Sequence, residues 1–398
     1  MKTKLTWVQR YHRFIKRQKK RTLRHVIIGL VVTFLFIQLF DGQSMAEDVQ
    51  VENDDQPIFT ASMVGDLMFG RHVQEVVERY GYDHLFRFVA PYFEASDYVT
   101  GNFEQAVVLR EDFQEADKFI HLKISDLNAL EALKKHNFTV VNLANNHAMD
   151  FLEGGMEDTV HAFRQVGLDF VGAGLNKEEA AQIAYHEING ITVATLGFTD
   201  VYTREFPASD YRPGVLTADP TQFIELIHEA DQNADLVMVH IHWGLEYDSY
   251  IHARQKDFAK AMVEAGADVI IGHHPHVLLS VDIYKDSIIF YSLGNFVFDQ
   301  GWTRTRESAI AQLKLYEDGQ ARVELIPTLI TEATPKPLLD TYSFYHRERI
   351  FRQLTKETTG DWTLEDGKLV FQFKSPLPTP PKAEESNEQW MENDLYYY

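Results

Sequence analysis

The sequence predicts a layered α/β domain behind a basic leader, and three patterns predict it. Continuous apolar, β-branched runs such as ITVATLGF (191–198), ADLVMVHIHWG (234–244) and ADVIIGHH (267–274) read as strands covered on both faces. Amphipathic stretches at 221–232 and 254–265 separate them as helices, the alternation of a sheet with helices packed over it. The first 25 residues stand apart, with ten Lys or Arg and no Asp or Glu.

The leader runs into VIIGLVVTFLFIQLF (26–40), apolar except for Thr33 and Gln38. Its length is close to a signal-peptide core and short of the ~20 residues of a spanning helix. Small residues at 44–46 allow cleavage after Ala46, whereas Leu23 and a snorkelling Arg24 can extend the span. The reading favours an uncleaved single-pass anchor at 26–40. The basic leader at 1–25 then stays in the cytoplasm and the rest of the chain is exported. Residues 41–57 are acidic and polar and read as a linker.

From residue 58 the elements follow in order. IFTASMV (58–64) is a strand, FTVVNLA (138–144) another, GMEDTVHAFRQVG (155–167) a helix and LDFVGAG (168–174) a strand. SIIFYSLGNF (287–296) reads as one further strand. After residue 308 the pattern turns strand-like, with EDGQ as a hairpin turn. A short helix at 345–353 and a strand at 369–373 close the domain, 58–375, and residues 376–398 read as a disordered tail.

Composition excludes several functions. No cysteine is present, so disulfides, thiolate metal sites and a cysteine nucleophile are ruled out. The net charge of −21, less the leader's +10, leaves −31 on residues 26–398. A body that negative repels nucleic acid, and no nucleic-acid partner is expected. Neither a G-x-x-x-x-G-K-[ST] nucleotide loop nor a G-x-S-x-G elbow occurs.

Chemistry-bearing side chains gather where strands end. MVGDLMFGRH offers Asp66, and GNFEQA offers Asn102 and Glu104. NLANNHAMD offers Asn145, Asn146, His147 and Asp150, and VHIHWGLEYD offers His240, His242 and Glu246. GHHPHV offers His273, His274 and His276, and YSLGNFVFDQ offers Asn295 and Asp299. Singly, each has a plain structural reading: a turn or cap for Asp66, an N-cap for the ANNH stretch, a hydrogen-bonded core residue for His240. His240 and His242 share a strand face, so spacing barely separates them. Their joint recurrence at successive strand ends points to one site, because α/β sheets bind ligands outside the carboxyl ends of their strands. His274-Pro275-His276 is expected to hold two imidazoles on one side of an extended segment. Carboxylate, amide and imidazole donors suit divalent Mn, Fe or Zn.

The ordered set MVGDLMFGR, GNFE, NLANNHAMD, HWGLEYD, GADVIIGHHPHVL and YSLGNFVFDQGWTRTRES closely resembles the CapA family of capsule-biosynthesis proteins, nearest its poly-γ-glutamate members. The resemblance covers roughly 58–330 and implies a four-layer α/β/β/α sandwich related to the calcineurin-like metallophosphatases. It implies Asp66, Glu104, Asn146, His242, His274 and His276 as ligands of one metal ion or a loosely held pair, with His147 as the catalytic histidine; His273 falls outside the set. Two departures stand out: Leu67 and Met68 follow Asp66 where the superfamily has D-x-H, and Glu104 replaces an aspartate. The implied role is a membrane-anchored component of poly-γ-glutamate synthesis and export with an extracellular domain. Its implied partners are a cytoplasmic ATP-dependent ligase, a small integral membrane subunit and the nascent polymer. Arg71, Arg304 and Arg306 are the candidate polymer contacts. A metal-dependent hydrolase of a phosphoester or amide bond is the alternative.

Overall fold

The computed structural model describes residues 5–41, 56–301, 303–339 and 343–377. The chain divides into two compact units, Met1–Gln50 and Val51–Tyr398. In the first, the basic leader forms a helix, Trp7–Lys19, closed by a capping box between Thr6 and Gln9. The apolar run lies in a second helix, Thr22–Asp41. Among the described residues no helix is long and apolar enough to cross a membrane. The expected linker falls mostly outside the described residues, at 42–55, as does the expected tail, at 378–398.

The second unit is built on two large sheets. In one, strands Phe59–Leu67, Tyr98–Phe103, Val140–Asn142 and Asp169–Val171 run parallel, and Glu307–Leu315, Gln320–Thr331 and Lys368–Lys374 extend it antiparallel. In the other, Ile191–Thr199, Leu236–His242, Val269–His273 and Ser287–Phe290 run parallel. Alternation along Leu236–His242 shows the layering. Leu236 and Met238 join Ala61, Met63 and Tyr98 in the core between the sheets. Val237, Val239 and Ile241 face outward onto Phe223, Ile227, Phe258 and Met262 of helices Pro220–Asn233 and Ala253–Ala265. On the far side, Phe103 packs edge-on against Phe163 of helix Leu152–Val166. The order is therefore α/β/β/α, with each buried side chain of this size contributing about 1.5–3 kcal/mol.

Two expectations are corrected. The run 287–296 is two strands in different sheets: Ser287–Phe290 pairs with Val269–His273, while Asn295–Val297 pairs with Phe59–Leu67. The chain crosses between sheets at Gly294, whose φ of 68° favours glycine. There the Gly294 carbonyl accepts from Asp66 N (3.0 Å), and a Cβ on Gly65 would collide with that carbonyl oxygen. The His274-Pro275-His276 segment is also not extended. It turns, with φ of 95° at His274 and 57° at His276. A left-handed backbone at two non-glycine residues costs of order 1–3 kcal/mol each, and it brings both imidazoles toward the carboxylates of the opposite sheet.

Candidate metal centre

Parallel register builds the first half of the site. Asp66 aligns with Asn102, and Asn102 with Asn142, so three polar residues lie side by side across adjacent strand ends. Asn102 is the hub. Its Nδ2 donates to Asp66 Oδ1 (2.9 Å), and its Oδ1 accepts from Asn142 Nδ2 (2.9 Å) and Asn145 Nδ2 (3.3 Å). Glu104 follows two residues on, fully buried.

The second half comes from the other sheet, where His242 aligns with His273. His242 Nε2 lies 2.9 Å from Asn146 Oδ1 and 3.8 Å from Glu104 Oε1. His276 Nε2 lies 3.7 Å from the same Glu104 oxygen. His276 Nδ1 donates to Asn295 Oδ1 (2.9 Å), and Asn295 is held in turn by Gln300 and the Thr305 carbonyl. Donor atoms of Asp66, Glu104 and His276 lie within 4.8 Å of one another, as do those of Glu104, His242 and His274. Glu104 belongs to both groups.

The cluster is short of positive charge. Asp66 Oδ2, Glu104 Oε1 and His274 Nδ1 are buried with no hydrogen-bond partner. Burial opposes the ionised form of Asp66, yet His273 and His276 beside it hold its carboxyl well below the usual range. Burial, then the Asp66 charge, pushes Glu104 far upward. Burial works against a charged His276, but Glu104 and Asp66 raise it to about 9. Burial and then His276 lower His274 to about 3, and burial and then His274 hold His242 well down. Unpaired buried carboxylate oxygens facing imidazoles are a donor set that fits a divalent cation, which would supply positive charge at their centre.

His147 sits beside this cluster. Its Nδ1 donates to Asp150 Oδ2 (2.7 Å), and Asp150 is fixed by Lys118 Nζ (2.6 Å) and Leu122 N (2.6 Å). Lys118 also donates to the Asn146 carbonyl (2.8 Å). Burial lowers the His147 pKa while Asp150 opposes that. Lys118 escaped the sequence reading because it lies in an irregular stretch with no motif and reaches the site only through the fold. Asn142 was hidden differently: its part in the network, beside the expected Asn102, is a matter of register between strands.

The candidate arginines separate. Arg71 is paired with Asp299 near the site, with the Phe298 ring between it and His276. Arg304 donates to Ser249 Oγ. Arg306 is turned to strand Gln320–Thr331, donating to the Ile330 carbonyl (2.7 Å) and Thr331 Oγ1 (3.1 Å). Glu246 is exposed, and its charge acts on Glu104 and His276.

Fold and site together define a four-layer α/β protein whose strand ends assemble a buried carboxylate–histidine centre suited to a divalent cation. The family model described as bacterial capsule synthesis protein PGA_cap matches residues 60–300, and the chain belongs to that family. It is 47% identical over 372 residues to the PGA biosynthesis protein CapA of Bacillus subtilis (strain 168), covering 93% of this chain and 97% of that one. It is 46% identical to the capsule biosynthesis protein CapA of Bacillus anthracis, covering 93% of this chain and 91% of that one. Among solved structures it is similar to a 5'-nucleotidase precursor from Thermus thermophilus, with 13% identity and a TM-score of 0.40 over 74% of this chain and 58% of that one. It is also similar to Vps29 of Chaetomium thermophilum, with 9% identity and a TM-score of 0.31 over 82% of this chain and 99% of that one.

Proposed function

We propose that the chain is a membrane-attached component of the machinery that makes and exports poly-γ-glutamate, and that its α/β domain works outside the cell with a divalent metal ion at the strand ends. One observation carries this reading: the family match at 60–300 contains every residue of the buried centre. Asp66, Glu104 and His276 would hold one ion. His242 and His274, with Asn146 beside them, would share Glu104 with it or hold a second. A divalent ion there supplies Lewis-acid charge to a bound anion or carbonyl. Polymerisation energy is left to a cytoplasmic ATP-dependent ligase, since this chain carries no nucleotide loop. A small integral membrane subunit is the second proposed partner.

Attachment rests on the basic leader and the apolar run beside it. That run, 15 residues, rises roughly 22 Å as a helix against a hydrocarbon core of ~30 Å. Leu23 and the Arg24 stem would extend it. Carbonate extraction of membranes, with N-terminal sequencing of the product, separates an anchor from cleavage after Ala46.

The His147–Asp150 pair favours a second reading, a metal-dependent hydrolase. With Nδ1 committed to Asp150, Nε2 is left to exchange a proton with a bound substrate. The central test is polymer production and metal content in a His274→Ala/His276→Ala variant. Loss of both is expected, and a folded variant that supports polymer like the parent overturns the proposal. Turnover of a phosphoester or γ-glutamyl amide that requires added Mn²⁺ and vanishes in His147→Ala decides for the hydrolase.

A further inference from the structure

The chain is acidic almost everywhere, yet helix Phe344–Leu354 carries Arg347, Arg349 and Arg352 against a single acid, Glu348. Its exposed face forms one wall of an open cavity of about 830 Å³, shared with Trp362 and Leu364 of the edge strand. Phe344, Tyr345, Trp362 and Leu364 are 42–66% exposed there. Arg349 and Arg352 also line a second, smaller cavity of about 80 Å³. Its other walls include Ser249, Arg304 and Val277, and Val277 is the residue after His276. The two cavities thus share a pair of arginines, and the wall of the inner one includes Val277, the next residue in the chain after the ligand candidate His276.

The charges in this passage are uneven. Glu307 is nearly buried and takes Arg349, whose Nη2 lies 3.2 Å from Oε1 and 3.3 Å from Oε2. Arg304 has the Ser249 hydroxyl, and Arg352 has no ion-pair or hydrogen-bond partner among the described residues. Arg304 and Arg349 thus share the single charge of Glu307, and with Arg352 the passage holds three guanidinium groups against that one buried carboxylate. The inner cavity has several times the ~10–15 Å³ that one water needs, room enough for a carboxylate group. Guanidinium is the side chain that recognises carboxylate with paired hydrogen bonds. Exposed aromatic faces beside it suit methylene groups, not further charge.

We infer that this groove, from Trp362 and Tyr345 past Arg352 to Arg304, is a track that delivers an extended polycarboxylate with aliphatic spacers to the metal centre. The inference rests on the proposed function for the identity of the polymer, and extends it by assigning the binding residues to helix Phe344–Leu354, the adjoining strand Trp362–Glu365 and Arg304. Polymer of the required chemistry alternates carboxylates, which Arg352 and Arg304 take, with methylene runs, which the aromatic residues cover.

The test is fluorescence anisotropy of a labelled poly-γ-glutamate oligomer with the full chain in detergent. Binding should weaken with rising salt. Arg304→Ala/Arg352→Ala should weaken it by at least about tenfold, and the double Lys variant, which keeps the charge but not the paired hydrogen bonds, should recover only part of that. Trp362→Ala should weaken it severalfold, while Arg254→Ala, which breaks a pair with Asp200 elsewhere on the surface, should bind like the parent. Arg352→Glu, on an exposed position, repeats the charge test without risk to the core. No binding by the parent, or unchanged binding by both Arg304→Ala/Arg352→Ala and Arg352→Glu, overturns the track. Polymer production in cells scores the other claim separately. A gene deletion that leaves production intact sinks the proposed function even where Arg352 binds polymer. Lost production with arginine-independent binding sinks the track alone.

Discussion

His240 and His242 lie two residues apart on one face of one strand, both fully buried, and they meet opposite fates. His240 is satisfied on both sides: Nδ1 pairs with His273 Nε2 (2.9 Å) and Nε2 with Thr100 Oγ1 (2.8 Å) from the facing sheet. One step toward the strand end, His242 also has a partner at each ring nitrogen, Asn146 Oδ1 (2.9 Å) and Asn102 Nδ2 (3.4 Å), but it faces Glu104, whose Oε1 has no hydrogen bond at all. A second pair of regions repeats the contrast for carboxylates. Glu324 is also nearly buried, but Lys314, Arg322 and Lys368 surround it at 2.7–3.2 Å. Glu104 has no cation within such reach. Identical side chains are therefore structural where they sit among complete partners, and poised for a ligand where they meet an unpaired carboxylate oxygen.

The comparison breaks most visibly at Glu104. Glu104→Gln keeps the shape and removes the charge, so metal retained after dialysis should fall by more than about 100-fold, beyond the usual loss from outer-shell changes. The metal-free protein should melt no lower than the parent, because burial and the Asp66 charge already disfavour an ionised Glu104 there and the amide carries no charge to bury. Elemental analysis and calorimetry read both, and unchanged metal content refutes the role. His240→Ala should do the reverse. It leaves Thr100 and His273 short of a partner and opens a cavity, costing about 2–4 kcal/mol in denaturant unfolding while metal stoichiometry holds.

Glu324 offers a pH test of the paired state. Burial raises its pKa, but hydrogen bonding to and charge from Lys368, with Lys314 and Arg322, bring it down to about 2. A depressed folded pKa stabilises above the unfolded value near 4.5, and that stability is lost as pH falls through about 2. Glu324→Gln should lower stability by about 1–3 kcal/mol at neutral pH and flatten the acid limb of the stability curve. A parallel curve shows that the cluster contributes nothing. The smallest effect belongs to the partly exposed Arg71–Asp299 pair. Arg71→Ala should change stability by less than about 1 kcal/mol, a difference that thermal melts at high salt should erase.

Much of the fold was legible because burial leaves a period. The strands at 191–199, 236–242 and 269–273 and the helices between them follow from apolar spacing alone. The segment at 287–296 was misread because its apolar run is continuous while its partners change sheet. Only the crossing at Gly294, packed against Gly65, reveals that. The site was legible as a collection of strand-end residues and illegible as a network. Lys118 reaches Asp150 across 32 residues of chain, and Asn102 acts through neighbours on other strands.

What the sequence by itself determined is the alternation of strand and helix, the acidic body behind a basic leader, and which side chains stand where strands end. These are local properties, set by side-chain period and composition. What only the tertiary structure decided is which of those side chains are complete. Thr100 lies 140 residues from His240, and His276 meets Asp66 and Glu104 through a left-handed turn that no spacing rule foretells. A hydrogen-bond partner is a position in space, and two facing sheets bring together residues that the chain keeps far apart.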